Sequence, residues 1–458
     1  MITRVRWTFI FLLVYVTIAS LQPVDDFSDI MGPFCVNIGC CNNRIDSCSE
    51  PIRGTLCYCD EFCNRTDVHD CCPDYWSFCH GIYITTPLPP PTTRRPEPPP
   101  EIRACLYNDR TWPVNGTVRE NCNECKCVDV GYTVEMMCEK NICLVDEAII
   151  NTVNNREVHY GWTAANYSKF WGRTLDDGIR YRLGTLQPQK AVLGMHSMKR
   201  IYDPSALPKE FNTETRWPRY ISGIRDQGWC GSSWAISTAA VASDRYGIVS
   251  KGLEEVQLSA QNIISCETKD KGCEGGRYDR AWNFVRKFGL VDENCFPYVG
   301  NTTSCRIRRF GDLATAGCTA PRYSERTGRY KVGPSYKLGN ETDIMYEMMR
   351  SGPVQATMKV YHDFFSYSNG VYRHTDLTLA RKQGFHSVRI VGWGEEYTAS
   401  GLQKYWKVAN SWGTDWGENG YFRILRGSNE CDIESYVLGV WPEVDRKILT
   451  ASPLWTRS

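Results

Sequence analysis

Net charge is almost absent from this chain: 53 lysines and arginines stand against 52 aspartates and glutamates, a balance of +1 over 458 residues. Such a balance sets up no field to gather nucleic acid or an anionic membrane surface, and no long basic run supplies one locally. Beyond the first twenty residues there is also no long apolar run, so no later segment is suited to cross a bilayer, which takes about 20 apolar residues. Histidine is scarce, with 7 in all, and none falls between Cys295 and Cys318. Arg-Gly-Asp does not occur, so integrin contact through that tripeptide is unsupported. One more absence carries the most weight. The run Asp226-Gln227-Gly228-Trp229-Cys230-Gly231-Ser232-Ser233-Trp234-Ala235 has serine, not cysteine, at position 233.

What is present points to export. Residues 1–20 read as a cleaved secretory signal peptide: Arg4 and Arg6, an apolar stretch from Trp7 to Ile18, then Ala19 and Ser20. A signal anchor is the alternative, and the shortness of the stretch favours cleavage. Oxidising compartments let cysteines pair, and the chain has 23 of them. Ten lie between Cys35 and Cys79, six between Cys105 and Cys143, and seven between Cys230 and Cys431. The first two blocks are even and permit closed internal pairing. Zinc ligation is the other use for so dense a set, and export favours disulfides over it. Asn-X-Ser/Thr sequons begin at Asn64, Asn115, Asn166, Asn301 and Asn340 and are expected to carry glycans.

Residues 85–101, TTPLPPPTTRRPEPPPE, separate the first two blocks. Proline at that density favours a semi-rigid polyproline II spacer, spanning about 50 Å. Ahead of it, Cys57-Tyr-Cys59-Asp-Glu-Phe-Cys63 and Cys71-Cys72-Pro-Asp-Tyr-Trp-Ser-Phe-Cys79 resemble the somatomedin B module, placed at 35–80. That family packs a disulfide core and binds extracellular proteins through its surface. It usually has eight cysteines, so the ten found here leave the pairing open. Cys122-Asn-Glu-Cys125-Lys-Cys127, with Cys105, Cys138 and Cys143, resembles a von Willebrand factor C-like module at 105–143. Residues 144–206 are cysteine-free, polar and aromatic; Tyr160-Gly161-Trp162-Thr163-Ala164 and Phe170-Trp171-Gly172 resemble a cathepsin B-type pro-region, a segment that in that family lies along the active-site groove.

Residues 207–442 carry the chemistry. The nucleophile signature of papain and the cathepsins is C-G-[SA]-C-[WY], and this chain reads C-G-S-S-W at Cys230–Trp234. A papain-like site needs a cysteine to attack, a histidine to take its proton, an asparagine to orient the histidine and a glutamine at the oxyanion. The resemblance places these roles on Ser233, His386, Asn410 and Gln227, with Trp412 shielding the His–Asn pair and Gly275-Gly276 walling the groove. It implies an α+β, papain-like two-lobed fold, a helical lobe plus a β-barrel lobe, preceded by small disulfide-rich modules. It also implies a Cys230–Cys273 bridge, pairing of Cys266 and Cys295 with Cys305 and Cys318 in an order left open, and an unpaired Cys431. No histidine neighbours Cys431 along the chain, and it reads as a buried inert thiol. The histidine-free interval before Cys318 removes the occluding-loop pair that makes cathepsin B an exopeptidase. Tyr436 stands where cathepsin B has an acidic specificity residue, so the groove is expected to prefer apolar side chains.

Serine for cysteine is a severe change in such a site. A cysteine beside imidazolium has its pKa lowered from about 8.5 to about 3–4 and is an anion at neutral pH. A serine hydroxyl needs a base oriented by a buried carboxylate, and here the orienter is neutral Asn410. The order of modules, together with Ser233, is similar to the tubulointerstitial nephritis antigen family. That resemblance implies a secreted, non-catalytic glycoprotein of extracellular matrix and basement membrane, with laminin, collagen or cell-surface receptors as partners. Binding is expected through the protease-like groove, which would hold an extended peptide without cutting it, and through the cysteine-rich modules. No cofactor, metal, nucleic acid or transmembrane segment is expected; residues 443–458 read as a tail. Two other readings stay open: a weakly active serine-variant endopeptidase, and a carrier or regulator of a secreted signalling ligand.

Overall fold

In the computed structural model of this chain, the described residues are 30, 32–52, 54–65, 70–82, 103–189, 192, 194–198, 202–307, 313–318, 329–398 and 401–444. The signal peptide at 1–20, the proline-rich linker at 85–101 and all but the first two residues of the 443–458 tail lie outside them. The chain divides into two units, 1–100 and 101–458.

The first unit has few large apolar side chains to bury, and sulfur takes their place. Its core is Cys35, Cys48, Cys57, Cys59, Cys63 and Cys72 packed with Ile52 and Tyr75. Five disulfides close it: Cys35–Cys59, Cys40–Cys79, Cys41–Cys48, Cys57–Cys72 and Cys63–Cys71. Ten cysteines thus pair internally, which resolves the connectivity that the sequence left open. A hairpin of Ser49–Ile52 and Thr55–Tyr58 and a short helix at Tyr75–Cys79 frame the cluster.

The second unit begins with a hairpin, Ala104–Tyr107 with Arg110–Pro113, and a three-stranded antiparallel sheet of Thr117–Glu120, Asn123–Asp129 and Val134–Cys138. Cys105–Cys127, Cys122–Cys143 and Cys125–Cys138 cross-link it. A helix follows at Glu147–Asn155. Asp146 caps it, accepting from the amides of Ala148 and Ile149, and Ile149, Ile150 and Val153 form its buried face. The chain turns at Gly161, then Trp162–Ala164 adds an antiparallel strand to the edge strand Tyr367–Tyr372.

Among the described residues, nine strands join in one sheet. Its order runs 336–337, 437–439, 354–360, 384–398, 401–409, 421–425, 367–372, 162–164, with 211–212 paired to 384–398. The core on this side is aromatic, with Phe364, Phe365, Tyr367, Trp406, Trp412, Trp416 and Phe422, and it takes in Leu144, Tyr160, Trp162, Phe170 and Leu183 from the preceding segment. A second core belongs to helices Ser233–Val249, Ala260–Cys266 and Tyr278–Phe288. The central helix, Ser233–Val249, is buried on every side and alanine-rich, which lets it pass through the molecule's interior. Its two buried charges are matched: Asp244 pairs with Arg389, and Arg245 with Glu347 at 2.9 Å. This is the expected α+β architecture with a helical and a sheet lobe.

Candidate functional site

Position 233 opens the central helix where the two lobes meet. The Cys230–Cys273 bridge anchors the turn before it, and Gly231 donates its amide to the Cys273 carbonyl at 2.8 Å. Ser233 is fully buried. Its hydroxyl donates to the Leu183 carbonyl at 2.7 Å, lies 2.9 Å from Thr185 Oγ1, and accepts from the Ser387 amide at 3.3 Å. A hydroxyl has one proton, and this one is given to Leu183.

His386 comes from the long strand 384–398, and Asn410 follows its partner strand 401–409. The two meet, with His386 Nε2 2.7 Å from Asn410 Oδ1. Trp412 covers them, its ring centroid 5.2 Å from that of His386 and its other side stacked on Phe365. Burial pushes the His386 pKa down to about 4, against the opposing pull of the Asn410 side chain and the Leu183 carbonyl. The ring is therefore neutral at pH 7. Its Nδ1 has no hydrogen-bond partner, so Ser233 and His386 are not joined. Gln227, buried, gives its amide to the carbonyls of Cys230 at 2.9 Å and Tyr181 at 3.3 Å, and accepts from Ser411 Oγ at 2.6 Å.

The chain's own residues 183–186 fill the groove. Thr185 bridges Gly276 in parallel and Phe385 antiparallel, so this strap forms a short strand between the Gly275-Gly276 wall and the sheet lobe. Gly276 donates to the Gly184 carbonyl and Leu186 to the Gly276 carbonyl, both at 2.9 Å. Thr185, Ser387 and Thr357 continue the hydroxyl chain inward at 2.9 and 2.8 Å. Gly184 is required here: its φ is +84°, and a Cβ would sit 2.1 Å from the Gly231 carbonyl. Arg182, buried, holds the strap through Asp226 at 2.7 Å and lies over the rings of Phe170 and Trp229. The groove that the sequence reading leaves open for an extended peptide is thus occupied by the segment that resembles a pro-region. Tyr436 is half-buried and lies edge-on to Phe385 at 6.4 Å, with Asp432 and Lys359 acting on it electrostatically.

The remaining assignments fall as follows. Cys266 pairs with Cys305 and Cys295 with Cys318, fixing the open order. Asn64, Asn115, Asn166, Asn301 and Asn340 are all exposed, and Asn340 also caps helix Glu341–Ser351 with its Oδ1. Cys431 is free and buried. Its surroundings correct the sequence reading: the fold brings His374 beside it, through Glu430. The strap contacts of Leu183 and Thr185, the hydroxyls of Ser387 and Thr357, and the Arg182–Asp226 pair are also absent from the sequence reading. The Arg182-Leu183-Gly184-Thr185 run was the available signal, a glycine between a cation and a small hydroxyl inside a pro-region-like segment.

Comparison with known proteins supports the papain-like fold. The papain family cysteine protease signature matches residues 207–441. Human tubulointerstitial nephritis antigen-like is 46% identical over 426 residues, which cover 88% of this chain and 87% of that protein. Human tubulointerstitial nephritis antigen is 42% identical, covering 90% and 88%. Among solved structures, procathepsin B S9 from Trypanosoma congolense superposes with a TM-score of 0.55 at 32% identity, covering 66% of this chain and 99% of that one.

Proposed function

Since this chain belongs to the tubulointerstitial nephritis antigen family, with a C-terminal domain of the papain family, we propose that it is a secreted, non-catalytic glycoprotein that binds extracellular-matrix proteins, such as laminin or collagen, or cell-surface receptors. In this reading Ser233, His386, Asn410 and Gln227 keep the positions of a protease site and have lost its reaction. The observation that carries it is the Ser233 hydroxyl. Its proton goes to Leu183, His386 Nδ1 is unbonded, and the strap covers both. A neutral serine beside a neutral imidazole oriented by an amide has neither a preformed anion nor a carboxylate to support its formation. Each 1.36 kcal/mol so added to the barrier slows the reaction about tenfold.

Binding then falls to the two disulfide-rich modules and to the outer surface of the strapped domain. Two linked weak sites raise apparent affinity by about 10²–10⁴ when both engage at once. Eleven disulfides support export, and no helix of the described residues is long and apolar enough to cross a membrane.

The test is peptide hydrolysis. The purified protein is expected to release no product from fluorogenic peptides, before or after limited proteolysis between 187 and 206. Ser233→Cys, opened in the same way, is expected to gain turnover. Turnover by the parent that Ser233→Ala abolishes would make this protein an enzyme.

A further inference from the structure

Outside the groove, three metal-ligating side chains of different chemistry converge on one point. His374 Nδ1 lies 2.6 Å from Glu430 Oε1, and Cys431 Sγ lies 3.2 Å from the same oxygen. All three ligand atoms fall within 4.8 Å of one another. The other such group among the described residues, Cys35, Cys59 and Cys72, is consumed by disulfides. We propose that His374, Glu430 and Cys431 form a binding site for a borderline-soft divalent cation of the zinc type.

The donor set fits that class. Imidazole nitrogen, carboxylate oxygen and thiolate sulfur are zinc ligands, and three of them leave a fourth position for water. Magnesium and calcium favour all-oxygen sets and would be rejected. The geometry is near what the ion needs. Zinc bonds of about 2.0–2.3 Å in a tetrahedron hold ligand atoms roughly 3.3–3.7 Å apart. The Cys–Glu contact is already close to this, and the His–Glu contact has to open by under about 1 Å.

Preorganisation is visible around each ligand. The His374 ring is stacked on Tyr361, with centroids 4.4 Å apart and planes within 13°. The Glu430 carboxylate also accepts the His374 backbone amide at 3.0 Å, which fixes the carboxylate against the ring. The loop bends sharply through left-handed conformations at Asn429, Cys431 and Asp432, which turn the thiol inward toward the carboxylate. Acidic side chains also surround the cluster: Asp363 is fully buried and interacts electrostatically with His374, and Lys359 pairs with Asp432 at 2.9 Å. An entry path exists, because the His374 side chain is 32% exposed.

In the unloaded site, two protons hold the cluster together: the imidazole N–H and the thiol S–H both point at Glu430 Oε1. The ion takes the place of both. The thiol proton leaves to solvent, and the imidazole shifts its proton from Nδ1 to Nε2, freeing the Nδ1 lone pair. Affinity therefore rises with pH.

Cobalt(II) is the probe, because Cys431 is the one thiol outside the disulfides. Titrating the full secreted chain, freed of metal by chelator, is expected to give a thiolate-to-cobalt charge-transfer band that saturates at one equivalent and is displaced by zinc but not by magnesium. Cys431→Ala should abolish that band, and His374→Gln should weaken cobalt binding by at least about 10-fold. Circular dichroism and unfolding temperature check that each variant is folded. A parent that develops no band, or a band that survives in either variant at parental affinity, would overturn the proposal. If Cys431→Ala fails to fold, the parent titration and His374→Gln still decide.

Discussion

At the scale of single residues, the exchange at position 233 substitutes one kind of bond for another. A thiol is a weak hydrogen-bond donor. A hydroxyl is a good one, and Ser233 uses its proton on the strap's Leu183 carbonyl while accepting from the Ser387 amide, with Thr185 Oγ1 alongside at 2.9 Å. The residue that would have opened a peptide bond instead ties the chain across its own groove. Ser233→Ala leaves a buried carbonyl and amide short of a partner, which costs about 1–3 kcal/mol. The domain is expected to stay folded while cleavage within 178–206 by thermolysin speeds up several-fold. An unchanged cleavage rate would show that the strap does not depend on this hydroxyl. Much of the site was legible at this scale, because Cys230-Gly231-Ser232-Ser233-Trp234 and the contexts of His386 and Asn410 are local signatures. The hydroxyl contacts were not. Leu183 and Ser233 lie 50 positions apart, and His374 and Glu430 56 apart, and only the fold brings such pairs together.

Among elements, the strand at Trp162–Ala164 does more than its three residues suggest. It extends the sheet at Tyr367–Tyr372, and Trp162 sits in the aromatic core with its indole N–H on the Arg373 carbonyl at 3.0 Å. Gly161 makes the entry with φ +80°, and Gly370 opposite leaves no room for a side chain, a Cβ there lying 2.5 Å from the Gly161 carbonyl. The segment 144–186 is thus part of the domain's core, as Leu144, Ile149, Val153, Phe170 and Leu183 also testify. Trp162→Ala is expected to cost about 3–5 kcal/mol, the usual range for a large aromatic removed from a core. Chemical denaturation should record it as a single cooperative transition at lower denaturant. A separate early transition of the strap alone would show that the segment is only docked. The Tyr160-Gly161-Trp162 pattern gave the segment its likeness to a pro-region in sequence. Its burial was not, since apolar residues spread over short helices and turns show no period to read.

Over the whole molecule, two buried histidines tie stability to pH, and both sit where the segment 144–186 meets the papain-type domain. His362 Nε2 lies 2.9 Å from the Leu144 carbonyl, and Arg381 joins that ring to Asp146. Burial pushes its pKa down to about 4, as it does for His386. Both groups ionise near 6.5 in the unfolded chain. As pH falls below that value the unfolded state takes up two protons that the folded state refuses, so the equilibrium moves toward unfolding until the folded pKa is reached. The stability is fully present above pH 6.5 and is lost between about 6.5 and 4, at most about 3.4 kcal/mol for each histidine. His374 works in the opposite sense, since Glu430 raises its pKa, and it offsets part of the loss. Denaturant midpoints measured from pH 8 to pH 4.5 should fall steadily below 6.5, and His362→Gln should flatten the slope by roughly half. A parent whose midpoint stays level across that interval would mean that these rings are solvated in the folded protein, and that the segment 144–186 is not closed over them.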